Sequence, residues 1–134
     1  MITPIELPYA YDALEPYYDK ETMKIHYETL YKGYVTNLNK TEEEMETARQ
    51  KNNYENIKCM EKNLSYNGSG VILHELFFTN MINAGFGGNA SPSLASQINN
   101  DFGDFEKFKA QFNAASTNIE AARMGNPCME TKIS

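Results

Sequence analysis

The chain contains only two histidines, His26 and His74, and each lies in an apolar stretch with helical spacing. Imidazole is the commonest transition-metal ligand near neutral pH. One histidine from each of two packed helices is an established way to build a metal site in a helical bundle. The pair therefore predicts half of a metal site. The alternative for each histidine alone is a packed side chain with one hydrogen bond. Glu75 is adjacent to His74 but is expected to project to another face of the helix, so it is not counted as a ligand.

The first histidine requires a helix that follows an irregular N-terminal arm. Prolines and tyrosines argue against a helix before Asp19, which is a suitable N-cap residue. Thr41 and Glu44 have the spacing of a capping box, which predicts that another helix begins after a break at residues 37–40. Apolar residues at steps of three and four predict one packed face, and they are Met23, Tyr27, Leu30, Tyr34 and Leu38.

The second histidine requires an apolar helix further along the chain. The Asn-Gly-Ser-Gly run at residues 67–70 is expected to loosen the backbone before it, and residues 71–82 are apolar nearly all round, which predicts burial on most sides. A glycine-rich linker ending at Pro92 precedes one last helix, which carries phenylalanines from Phe102 to Phe112. No stretch alternates as a strand does. The predicted fold class is therefore all-α, an antiparallel helical hairpin plus one or two extra helices.

Composition narrows the classes of function. The chain has 134 residues, a net charge of -6 and hydrophobic residues at 41%, which fits one small globular domain and argues against binding to nucleic acid. No apolar run approaches the length of a membrane span, so no membrane partner is expected. The first residues lack the basic and apolar regions of a signal peptide, which predicts a cytoplasmic protein.

Several segments together resemble the iron/manganese superoxide dismutase family. The first is Leu-Pro-Tyr-Ala-Tyr-Asp-Ala-Leu-Glu-Pro at residues 7–16, which is similar to the N-terminal signature of that family. The resemblance covers about residues 5–120, and its other segments are residues 23–26, 34–39, 67–74, 76–80 and 101–109.

The resemblance implies a redox metal centre that disproportionates superoxide. In the family, three histidines and one aspartate hold a single manganese or iron ion, and the first two histidines match His26 and His74. Tyr34 matches a tyrosine that relays protons towards the metal-bound solvent. Gly70 resembles the manganese-type pattern, whereas iron-type members often have glutamine there. Family members usually form dimers, so the analogy also implies a homodimer.

The chain also departs from the family pattern. The other two ligands lie on an Asp-x-Trp-x-x-His segment of a C-terminal α/β sheet domain, yet no histidine follows His74. We expect that sheet domain to be missing and metal occupancy to be weak or absent. The predicted domains are the α-hairpin at 1–88, the first helices of the C-terminal domain at 89–121 and an aberrant tail at 122–134. Residues near the site that differ from the common family choices are Leu30, Val71, Leu73 and Phe78.

The tail suggests an origin for these departures. In a reading frame shifted by one base, the Met-Gly at 124–125 and the Met-Glu at 129–130 both produce tryptophan, and the shifted tail resembles the first strand of the family sheet. One hypothesis is a frameshifted superoxide dismutase gene. The alternative is a truncated relative with an unrelated tail. The first hypothesis requires that the DNA downstream of Ser134 encode an Asp-x-Trp-x-x-His segment in another reading frame.

Three functions remain open from the sequence. The family function is superoxide dismutase, with His26 and His74 as metal ligands and Tyr34 as proton relay. The competing function is that of a non-catalytic remnant, a weak metal binder or a helical interaction module. In the third, a separate C-terminal fragment completes the site.

Overall fold

A computed structural model of the chain describes residues 1–83 and 85–118, in which helices are the only regular elements. The chain divides into two compact units, Met1–Gly87 and a second that begins at Gly88. The predicted all-α hairpin with additional helices is confirmed, and no sheet occurs in the described part. None of the described helices is long and apolar enough to cross a membrane.

The N-terminal arm is irregular, as predicted, and tyrosine hydroxyls fasten it to the helices. The Tyr27 hydroxyl donates to the carbonyl of Ile5 at 2.7 Å, and the amide of Ile5 donates to the Tyr31 hydroxyl at 2.8 Å. The Tyr9 hydroxyl donates to the carbonyl of Phe78 at 2.8 Å. The first two bonds satisfy backbone groups of the arm that a helix or sheet would otherwise pair, and the third satisfies a carbonyl in the last turn of α3.

One continuous helical stretch follows the arm. It consists of α1 (Lys20–Ile25), a π-helical segment (His26–Tyr31) and α2 (Lys32–Gln50). The predicted N-cap is confirmed, since Asp19 accepts a hydrogen bond from the amide of Thr22. The predicted break at residues 37–40 is wrong, because α2 continues through them. Thr41 is buried within the helix and its hydroxyl donates to the carbonyl of Asn37 at 2.8 Å, so it satisfies an acceptor four residues back and caps nothing.

The π-helical segment changes which residues face the core. A π-helical turn holds one more residue than an α-helical turn, so the buried stripe moves along by one position. Tyr31 and Val35 are buried, in place of Leu30 and Tyr34 that a regular helix would bury. The predicted packed face is therefore wrong at Leu30, which is half-exposed.

The second long helix, α3, covers Ile57–Thr79. Residues 51–56 connect it to α2, and Asn52 there adopts a positive φ of 47°. Residues 67–70 lie within α3, so the expected loosening of the backbone does not occur. The Asn67 amide donates to the carbonyl of Asn63 and is buried. The core between the two long helices is formed by Leu14, Met23, Tyr27, Tyr31, Val35, Leu38, Val71 and Phe78.

The second half of α3 is amphipathic in the structure. Val71 and Phe78 are buried, whereas Ile72, Leu73 and Leu76 are more than half exposed. The prediction of burial on most sides is therefore wrong for the described residues. Composition alone could not reveal this, because the exposed and buried positions carry the same types of side chain.

Up to residue 118, where the description ends, the second unit contains two short helices, α4 (Pro92–Phe102) and α5 (Phe105–Thr117). The residues read as one last helix form two, which is within the predicted one or two extra helices, because Gly103 has a positive φ of 92° and ends α4. Asp104 then caps α5 by accepting from the amide of Lys107 at 2.8 Å. Pro92 is the first residue of α4, where its missing amide costs nothing. The predicted aberrant tail at 122–134 lies outside the described residues. The predicted domain limits at 1–88 and 89–121 stay predictions.

Candidate metal centre

The structure brings the two histidines together. His26 begins the π-helical segment and His74 lies in the second half of α3. Their ring centroids are 4.8 Å apart and the rings meet at 79°. Both side chains are partly buried.

Each imidazole uses Nδ1 for a hydrogen bond inside the protein. Nδ1 of His74 lies 2.6 Å from the carbonyl oxygen of Gly70, one turn earlier in α3. Nδ1 of His26 lies 2.8 Å from the hydroxyl oxygen of Tyr18, in the N-terminal arm. Nε2 is then the nitrogen of each ring that is available to a ligand, which is the arrangement found when histidines bind metals.

Aromatic side chains form the walls of the site. Phe78 is fully buried, and its ring centroid is 5.3 Å from that of His26 and 6.2 Å from that of His74. Phe77 lies 4.9 Å from His26. Burial lowers the pKa of His26, and the neighbouring His74 lowers it further. His26 is therefore neutral at pH 7, the form that binds metals.

Tyr34 lies beside His74, with ring centroids 5.0 Å apart. Its hydroxyl is 3.3 Å from the hydroxyl of Tyr66 on α3. This hydrogen bond, together with burial, raises the pKa of Tyr34, so the phenol keeps its proton at neutral pH. The ring packs closely over Gly70, where a side chain would have no space.

Tyr31 and Glu75 form a second polar contact that the sequence did not predict. The Tyr31 hydroxyl donates to Oε1 of Glu75 at 3.0 Å. Burial raises the pKa of Tyr31 to about 12, and Glu75 raises it as well. The carboxylate of Glu75 is thus held by Tyr31.

The sequence pattern missed Tyr18, Tyr31 and Tyr66. Tyr18 belongs to the irregular arm, where no periodicity indicates which side chains point inwards. Tyr31 faces the core because of the π-helical segment, which leaves no clear signal in the order of apolar residues. Tyr66 lies eight residues before His74, and two helical turns place it on the same side of α3 as Gly70.

The separation of the two imidazole centroids fits a shared ion. A histidine nitrogen lies about 2.1 Å from the ion it binds, which puts the ring centroid about 3.2 Å from the ion. Two such rings at angles between a right angle and the tetrahedral angle have centroids about 4.5 to 5.2 Å apart, and the observed distance is 4.8 Å. Within residues 1–83 and 85–118, no group of three or more His, Cys, Asp or Glu side chains could hold an ion. The described residues thus fit two ligand positions and leave the rest of a ligand set unfilled.

Comparisons with known proteins find relatives of the hairpin. A family model described as the alpha-hairpin domain of iron/manganese superoxide dismutases matches residues 3–82. The iron superoxide dismutase of Pyrobaculum aerophilum is 41% identical over 115 residues, which are 85% of this chain and 54% of that protein. That of Methanothermobacter marburgensis is 39% identical over 118 residues, which are 87% of this chain and 58% of that protein. The chain thus spans a little over half the length of these relatives.

Proposed function

Since the chain belongs to the iron/manganese superoxide dismutase family, we propose that its hairpin supplies one half of a redox metal centre that converts superoxide to dioxygen and hydrogen peroxide. His26 and His74 bind one ion through Nε2, and Tyr34 donates a proton beside it. The observation that carries this proposal is the imidazole pair itself, with centroids 4.8 Å apart and both Nδ1 atoms already hydrogen-bonded.

The bound ion, iron or manganese, supplies the one-electron chemistry. The residues of this chain bind the ion, restrict the access of water to its ligands and supply a proton beside it. Phe78 and Phe77 exclude water from one side of His26, which favours the neutral, metal-binding form of the ring. Tyr34 keeps its proton at neutral pH because its pKa is raised, so it can donate that proton to the reduced product.

The choice between the two metals rests on opposing observations. The named relatives are iron enzymes, whereas Gly70 resembles the manganese-type pattern. Both ions accept imidazole nitrogen together with carboxylate oxygen. Elemental analysis of protein purified from cells supplied with both metals distinguishes them.

The same proposal predicts that this hairpin alone is a poor enzyme. Two imidazoles open to water bind a divalent ion weakly and leave its reduction potential without the control that further ligands provide. Full activity requires additional ligands, which another polypeptide could supply.

By family analogy the chain forms a homodimer, and light scattering measures this oligomeric state. Cytoplasmic location stays a prediction.

A non-catalytic interaction module is the second candidate function. The observation that favours it is the exposed apolar side of α3, where Ile72, Leu73 and Leu76 are each more than half exposed. Apolar surface of this kind is common where another protein binds. This candidate predicts association without dismutase activity.

An activity stain after native electrophoresis separates the two candidates. The metal-loaded chain is tested alone and after co-expression with the C-terminal half of the Pyrobaculum aerophilum relative. We expect activity only in the second case, and we expect the double change His26→Ala, His74→Ala to abolish it. Glu75→Gln is the matched control, since it alters the neighbour of His74 but keeps an acceptor for Tyr31. Activity that survives the double change contradicts the proposal, and association without activity favours the interaction module.

A further inference from the structure

Tyr18 contacts His26 from the N-terminal arm. Its hydroxyl oxygen is 2.8 Å from Nδ1 of His26, and the two rings are stacked with centroids 6.4 Å apart. The Tyr18 ring also meets Phe77 edge-on at 6.1 Å. A partly buried ring held on two sides places its hydroxyl in a defined position.

The two histidines differ in what fixes their tautomer. The partner of His74 is a carbonyl oxygen, which can only accept, so Nδ1 of His74 must carry the proton. The partner of His26 is a hydroxyl, which can donate or accept. His26 can bind a metal through Nε2 only when Nδ1 carries the proton and the Tyr18 oxygen accepts it.

The other neighbours of His26 cannot replace Tyr18 in this role. Phe77 and Phe78 offer only aromatic carbon, and His74 meets His26 ring to ring. Among the described residues, Tyr18 is the hydrogen-bond partner recorded for Nδ1 of His26. Removal of its hydroxyl takes away the one hydrogen-bond partner that is recorded for that nitrogen among the described residues.

We infer that Tyr18 is the positioning residue of His26, whose hydroxyl accepts the Nδ1 proton and thereby presents Nε2 to the ion. The role rests on the proposed function, because it assumes that His26 is a ligand. It extends that function to a residue of the arm that is neither a ligand nor the tyrosine matched by the family pattern. A partner of this kind commonly changes metal affinity by about 10-fold to 100-fold.

The test compares Tyr18→Phe with Tyr17→Phe. Both changes remove one phenolic hydroxyl from adjacent positions, but Tyr17 is 85% exposed. Long-range proton–nitrogen NMR of the metal-free protein reports the tautomer of each imidazole, and a titration with Mn²⁺ alone, followed by its free EPR signal, reports affinity. The resonances of His74 serve as an internal control for folding.

We expect His26 to carry its proton on Nδ1 in the unsubstituted protein and in Tyr17→Phe. In Tyr18→Phe we expect a mixture of tautomers for His26, unchanged His74 and Mn²⁺ affinity at least about tenfold lower. The inference is overturned if Tyr18→Phe matches Tyr17→Phe in both measurements. If His26→Ala itself leaves Mn²⁺ affinity unchanged, the proposed function fails, and the tautomer measurement still decides whether Tyr18 orients His26.

Discussion

The ring of Tyr34 lies directly over Gly70, with no space for a side chain between them. A Cβ atom built at Gly70 would lie 2.6 Å from both Cε1 and Cγ of Tyr34, well inside van der Waals contact. The carbonyl of the same glycine accepts the hydrogen bond from Nδ1 of His74. Gly70 therefore allows the predicted proton donor and one predicted ligand to approach each other.

This contact predicts opposite effects for two glycine substitutions in α3. Alanine in place of a helical glycine stabilises by about 0.5 to 1 kcal/mol when space is free. Gly68→Ala meets that condition, because the nearest side-chain atom is 3.9 Å from the new Cβ. We expect it to raise the free energy of unfolding, measured with urea. Gly70→Ala should lower it by about 1 to 3 kcal/mol, because Tyr34 must move. Stabilisation by both changes would contradict the close packing of Tyr34.

The ring of Phe78 packs against both imidazoles. Its truncation should therefore disturb the packing of the two histidines as well as that of the core. It is fully buried, and truncation of such a ring to alanine costs about 3 to 5 kcal/mol. We expect Phe78→Ala to unfold at much lower urea concentration than the unsubstituted chain. Phe86→Ala is the control, because Phe86 is 75% exposed and its loss should cost less than about 0.5 kcal/mol. Equal losses for the two changes would show that the ring of Phe78 is not packed as described.

The buried phenol of Tyr31 predicts how stability depends on alkaline pH. Its pKa is raised from 10.0 to about 12 in the folded chain. Between these values the unfolded chain loses the proton first, so the contribution of Tyr31 is complete below pH 10 and is lost as the pH rises towards 12. We expect the urea midpoint to fall over this range, and to fall less in Tyr31→Phe.

Absorbance at 295 nm tests the same residue directly. Tyr11 also titrates at about 12, chiefly because its hydroxyl is hydrogen-bonded to Glu28. Tyr31→Phe and Tyr11→Phe should each remove one late-titrating phenol. If the rise in absorbance near pH 12 is the same in Tyr31→Phe as in the unsubstituted chain, Tyr31 is not shielded from water.

The sequence was most informative where local chemistry decides the structure. The cap at Asp19 could be predicted because a carboxylate before an apolar helical pattern satisfies free amides. The pairing of two helices could be predicted from apolar spacing, and that pairing brings His26 and His74 together. The division between α4 and α5 was missed, although Gly103 followed by Asp104 has the residue types that end one helix and cap the next.

The remaining features depend on tertiary packing. The π-helical segment moves the buried position from Leu30 to Tyr31, and no pattern of apolar residues separates these two choices. The contact of Tyr18 with His26 depends on how the arm folds back, which helical or strand periodicity cannot describe. Exposure of Ile72 and Leu76 likewise depends on which surfaces the rest of the chain covers.

The central claim is that His26 and His74 bind the same ion. Its most direct test is a titration of Mn²⁺ into the protein labelled with ¹⁵N-histidine, with the imidazole resonances observed by NMR. Paramagnetic Mn²⁺ broadens the resonances of groups beside it, so we expect both imidazoles to broaden together at the same low concentration. In His26→Ala, broadening of His74 should require at least about tenfold more Mn²⁺. Because both rings lie within reach of one ion, the decisive comparison is His26→Ala: broadening of His74 at an unchanged Mn²⁺ concentration in that variant would contradict the claim.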